Sequence, residues 1–202
     1  MTFTIRRIAT AALFAAVFFS CATKPAGTPI APLTATTSEE AMQQLRARRD
    51  AFRGARTLMR VRTTTNGKTQ SFRAQLIVQD ARRMELIAYT PVGTTALHMR
   101  ANGDEVSVDN RLEGKEWEGS AQDLARQFGF FGALKPAEMS MLILGLPTRD
   151  DAAYEATPAG LSRATIGDVV VTFDPPAFPA KNVVVVRGDD RVEIEHLETV
   201  SE

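Results

Sequence analysis

Cysteine is almost absent from this chain: Cys21 is the only one in 202 residues. A lone thiol excludes an internal disulfide framework and a cysteine-built zinc site. Histidine is nearly as scarce, and His98 and His196 are too few for a histidine-rich metal centre. Neither sign of charge is in surplus, with 24 basic residues against 24 acidic ones, so nothing draws the chain electrostatically to nucleic acid. No nucleophile elbow, P-loop or dinucleotide fingerprint occurs, and no enzymatic activity is expected. Asp150-Asp151 and Asp189-Asp190 read as solvated turn residues, the two histidines as strand surface residues, and the single tryptophan, Trp117, as core. What the chain does have is hydrocarbon: 44% of its residues are hydrophobic, enough for the core of one ordinary domain.

Long hydrophobic runs are missing too. Ile8 to Phe19 is apolar apart from Thr10 but spans only 12 residues, short of the ~18 or more that a membrane-crossing helix needs. Preceded by Arg6 and Arg7, it fits the apolar region of a secretory leader. Ser20-Cys21-Ala22 follows directly, and a small residue before a unique cysteine at this place resembles the lipobox of bacterial lipoproteins. Phe18 departs from the aliphatic residue usual there. The resemblance implies that residues 1–20 are removed and that Cys21 becomes an acylated N-terminus. A covalent N-acyl diacylglycerol on Cys21 is then expected, and no cofactor. Ala22, standing where aspartate would signal retention in the inner membrane, implies the outer membrane, with the domain facing the periplasm.

Residues 21–36 are rich in Ala, Thr and Pro and carry one charge, Lys24. They read as a flexible tether, because so little apolar surface cannot offset the entropy of ordering. Residues 37–202 read as one domain. Thr37 and Glu40 have capping-box spacing, Met42, Leu45 and Phe52 share a helical face, and Gly54 is a natural stop. From Leu58 the period becomes two, with hairpin signals at Asn66-Gly67 and Asn102-Gly103. Short helices are predicted at 121–128, capped by Ser120 and ended by Gly129, and from Pro136 to Leu144. Strands then resume near Tyr154 and run to Leu197. Their valine runs, apolar on both faces, predict a covering layer. The fold class is mainly β (α+β): a strongly curved antiparallel meander partly closed by helices inserted midway.

At Thr90-Pro91-Val92-Gly93-Thr94-Thr95, and again at Met141-Leu142-Ile143-Leu144-Gly145-Leu146-Pro147, the chain resembles the LolA/LolB family of lipoprotein carriers and receptors, and its receptor branch in particular. The order of lipobox, tether, helix, meander, two-helix insertion and further strands agrees over residues 37–198. The resemblance implies a half-open β-barrel with a helical lid around an apolar cavity. It implies acylated lipoproteins, a periplasmic LolA-like carrier and outer-membrane lipids as partners of a monomer. Pro91, Val92 and Gly93 match the receptor's protruding loop, whose apolar tip serves membrane insertion of the cargo; valine here replaces a larger leucine. Met59, Val61, Phe72, Leu76, Leu86, Leu97, Met99 and Val106 are the expected wall of the cavity. Alternation alone puts these eight on one face, whether the interior is hollow or filled by them. Two other functions fit the same pattern: a lipoprotein binding free lipids or glycolipids, and a structural or adaptor lipoprotein with a packed core.

Overall fold

A computed structural model describes residues 27–128 and 134–201, so the leader, Cys21, the first part of the tether and Gly129 lie outside the described residues. The chain enters as a two-residue strand, β1 (Thr28–Pro29), and then forms helix α1 (Ser38–Asp50). Thr37 caps that helix, its Oγ1 accepting from the Glu40 amide at 3.2 Å. The Glu40 carboxylate accepts from the Thr36 amide at 2.8 Å and its hydroxyl at 3.0 Å, one residue upstream of a reciprocal box. Those donors hold the Glu40 carboxyl below the usual carboxylate range. Ala41 and Leu45 form the fully buried face, while Met42 and Phe52 pack half-buried. The helix ends at Asp50, with Ala51 as its C-cap, before Gly54 is reached.

Six strands follow as a meander: β2 (Ala55–Thr65), β3 (Lys68–Val78), β4 (Arg83–Tyr89), β5 (Thr95–Asn102), β6 (Glu105–Asn110) and β7 (Lys115–Ser120). Asn66 and Gly67 have φ of 51° and 72°, as a type I′ turn requires of both central residues. In the other hairpin Asn102 pairs with Glu105, so the loop is Gly103-Asp104, one residue later than expected. Helix α2 (Ala121–Phe128) begins where the Asp123 amide donates to Ser120 Oγ at 3.1 Å. Helix α3 (Pro136–Ile143) opens with proline in its first turn and stops at Leu144. The strands β8 (Ala153–Thr157), β9 (Gly160–Ile166), β10 (Val169–Phe173), β11 (Asn182–Arg187) and β12 (Asp190–Ser201) complete one antiparallel sheet of order β7-β6-β5-β4-β3-β2-β12-β11-β10-β9-β8. Its two halves join where Ile194 pairs with Val61. The outermost strands β7 and β8 do not pair with each other, so the barrel stays open.

Burial alternates along the later strands: Val183 and Val185 are buried, Val184 and Val186 only half-buried. Among the described residues no second layer covers those outer faces, contrary to the expectation from the valine runs. Their β-branched side chains suit a pleated strand whether or not the outer face is covered.

The tether differs from its expected solvated state as well. Thr28 and Pro29 pair with Ser201 and Val200, Ile30 and Leu33 pack on the core, and the Thr34 amide donates to Gln44 Oε1 at 3.2 Å. Arg48 explains much of this. Its guanidinium donates to the carbonyls of Ala31 and, at 2.8 Å, Pro32, and lies 4.8 Å from the Phe178 ring centroid. Residues with little apolar surface of their own are held by backbone hydrogen bonds and one cation. Arg48→Ala is therefore expected to free this segment. Hydrogen exchange should accelerate at the Thr34 and Thr36 amides while β2 and β3 keep their protection, and an unchanged pattern would remove Arg48 from that role.

Candidate functional site

Strand alternation turns Met59, Val61 and Thr63 of β2 inward, with Phe72 and Leu76 of β3, Met84, Leu86 and Ala88 of β4, Leu97 and Met99 of β5, and Val108 of β6. Val185, Val192 and Ile194 join them from the far half of the sheet, and Leu124, Pro136, Met139, Ser140 and Ile143 from the two helices. Together they enclose a cavity of about 290 Å³. Among the described residues its only polar side chains are Thr63 and Ser140, and the Ser140 hydroxyl is spent on the Pro136 carbonyl at 2.8 Å. The described residues leave the interior hollow, not filled by their own side chains. It has room for on the order of ten water-sized groups, near the lower end of small-molecule pockets. Sheltering ten methylenes there is worth about 8 kcal/mol.

Seven of the eight residues expected at the wall are on it. Val106 is not: it is 3% exposed and borders a separate, more polar hollow with Arg83, Glu85 and Arg100, so β6 contributes Val108 instead. Sequence reasoning missed the helical contribution and that of β11 and β12. Periodicity was present in Val183, Val185, Val192 and Ile194, but which strands face one another across the interior is a property of the closed sheet.

The wall is not equally buried along its length. Met59, Leu76 and Met84 are buried, whereas Thr63, Phe72 and Leu97, nearer the rim that carries the β2–β3, β4–β5 and β6–β7 turns, are half-buried. Ala88, Val185 and Val192 at the same level are buried, and the less covered wall residues on the β2–β5 side lie toward that rim. The Pro91-Val92-Gly93 turn stands on it, braced by the Gly93 amide donating to Thr90 O at 2.9 Å and the Thr90 amide to Thr94 O at 2.8 Å. Gly93 has φ of 87°, and Val92 is 85% exposed.

One polar side chain under the lid was misplaced by the sequence reading. His196, expected on the strand surface, is 9% exposed and faces inward, in step with Val192 and Ile194. Its Nε2 lies 3.0 Å from the carbonyl of Ile143, the last residue of α3, and its Nδ1 2.8 Å from Thr57 Oγ1. A carbonyl can only accept, so Nε2 carries the proton and the ring pins the end of α3 to β12. Burial pushes the imidazole from its ordinary 6.5 down to about 4, against the hydrogen bond to Ile143. His98 does lie on the outer face, half-buried and 3.4 Å from Glu85 Oε2. Asp150 and Asp151 lie in ion pairs with Arg49 and Arg149, and no cluster of three metal-ligating side chains occurs among the described residues.

This architecture, an open antiparallel barrel with two helices over an apolar hollow, is the fold of the LolA-like class. The chain matches a domain from Vibrio parahaemolyticus described as belonging to an outer membrane lipoprotein-sorting protein, with a TM-score of 0.54 and 10% identity over 82% of this chain and 92% of that one. A DUF1329 family protein from Desulfovibrio piger matches with a TM-score of 0.51 and 10% identity, over 83% and 94% of the two chains. At such identities the likeness is one of fold. No family model and no curated protein matches the chain.

The buried imidazole makes stability depend on pH with a definite sign. An unfolded histidine takes up a proton below about pH 6.5, whereas His196 in the fold does so only near pH 4. Stability is therefore present above pH 6.5 and lost as pH falls toward 4, by on the order of 3 kcal/mol. Urea midpoints measured between pH 7 and 4.5 should fall more steeply for the wild type than for His196→Gln. Parallel curves would contradict this account.

Proposed function

We propose that the chain is an acceptor of acyl chains at the outer membrane: acylated at Cys21, facing the periplasm, it takes acylated lipoproteins from a LolA-like carrier and inserts them into the outer membrane without covalent chemistry. The single observation that carries this reading is the hollow of about 290 Å³ with its hydrocarbon wall. Each methylene left in water costs about 0.8 kcal/mol, so a carrier of acyl chains needs apolar room and little else. Met59, Met84, Met99 and Met139 on the wall add the adaptability that varied chains require. Val92, exposed beside the open rim, supplies an apolar tip for release into lipid.

The size of the hollow favours a second reading on the same scaffold. Room for about ten methylenes suits part of one chain, so a cargo with several chains needs α2 and α3 to move away, whereas a single-chain lipid or glycolipid does not. Mass spectrometry of material co-purifying with the chain separates acylated protein from small lipid.

Two outcomes are expected. Leu86→Trp, which fills the hollow, should weaken binding of a fluorescent fatty acid by about tenfold or more, a loss of at least ~1.4 kcal/mol; undiminished binding would place the ligand elsewhere. Val92→Glu should leave uptake of an acylated lipoprotein from its carrier intact while blocking its delivery to vesicles, and normal delivery would dismiss the loop from the mechanism.

A further inference from the structure

Among the described residues, three large hydrophobic side chains are exposed: Val92 at 85%, Leu112 at 71% and Leu197 at 40%. The two most exposed sit on turns at the same end of the sheet. Val92 tops the β4–β5 turn and Leu112 the β6–β7 turn, and β5 and β6 are paired neighbours, Leu97 opposite Asn110. The Arg111 amide donates to Ala96 O at 2.9 Å, which carries the ladder up to the base of both tips. The centres of the two turns are thus separated by about two strand spacings, roughly 10 Å, on the rim toward which Thr63, Phe72 and Leu97 are half-buried. Charged side chains around Leu112 are engaged with one another, Arg111 with Asp109 at 2.9 Å and Lys115 with Glu113 at 2.8 Å, leaving the leucine as the projecting group.

We infer that Leu112 is a second membrane-entering tip, and that it and Val92 dock the open rim of the cavity onto a lipid bilayer. The inference deepens the acceptor reading and rests on it for the source of the lipid surface. A bilayer fits better than a protein groove because the tips sit on separate turns with no continuous apolar face between them. Two turn residues, Thr94 and Glu113, are exposed and polar.

Chain length gives the second tip its purpose. Thr28 pairs with Ser201, and Ser201 with Ala55, at the end of the sheet opposite the tips. Along the strands that end lies roughly 26 Å from tip level, while the seven residues from Cys21 to Thr28 span at most about 25 Å. An anchor at Cys21 and the tips therefore reach one bilayer only with that connection drawn nearly straight or the sheet leaning over. A leaning domain on one tip can swivel. With two tips and the anchor it has three points of support, which fix the cavity mouth against the lipid.

The test uses residues 22–202, which retain every described strand, helix and core residue. Flotation with phosphatidylethanolamine–phosphatidylglycerol vesicles measures partitioning, and fatty-acid probe binding is measured on the same proteins. Leu112→Glu is expected to lower partitioning about tenfold, as Val92→Glu does, the double variant to abolish it, and all to bind the probe normally. Leu112→Phe should restore or raise partitioning, which a merely structural defect would not do. Unchanged partitioning of Leu112→Glu beside a loss for Val92→Glu overturns the second tip and leaves the acceptor reading standing. No partitioning by the wild type overturns both tips, and no probe binding by any protein overturns the acceptor reading itself.

Discussion

The inner face of this sheet presents more hydrocarbon than the described side chains cover, and the rest of the structure follows from that excess. Filling the interior would need larger residues at positions such as Ala88 and Val61, or helices packed deeper against β4 and β5. Instead α2 and α3 roof the sheet and leave about 290 Å³ beneath them. An empty apolar cavity forgoes dispersion contacts and weakens the fold. A protein that keeps one must be held together elsewhere.

It is held along the strands. The β2–β12 junction pairs ten positions and β2–β3 eleven, which ties the two halves of the sheet without demanding a filled centre. The N-terminal segment lies over the outer side of α1, clasped by Arg48, and Phe173, Val171 and Leu161 form a solid core under the β8–β10 half. The hollow is therefore confined to one side of the barrel, and rigidity to the other. His196 sits at the boundary. By bonding the end of α3 while neutral, it fastens the roof to β12 at ordinary pH and spares the interior a charge.

The proposed function turns on which end of the sheet gives access to the hollow. The rim with half-buried Thr63, Phe72 and Leu97 also carries the exposed Val92 and Leu112. Apolar residues on turns are costly to solubility unless they meet a partner. Under the proposed function, two such residues on the rim of an apolar cavity link the shelter for an acyl chain to the lipid phase it leaves for.

Much of this was legible in the residues. Two-residue alternation gave the strands and the inward face, Ser120 and Pro136 gave the helix starts, and the turn at Pro91-Val92-Gly93 announced an apolar tip. His196 could have been placed by the same alternation, two residues beyond Ile194, but its polarity argued for the surface, and only the α3 carbonyl waiting inside resolves that conflict. Nothing in the local pattern singles out Leu112, because sequence does not say which turns share a rim. Local patterns determine which way a side chain points from its own strand. Whether the space it points into is filled, and what lies across it, depends on the curvature of the whole sheet and the depth of the helices, and these are set by contacts between residues more than a hundred positions apart.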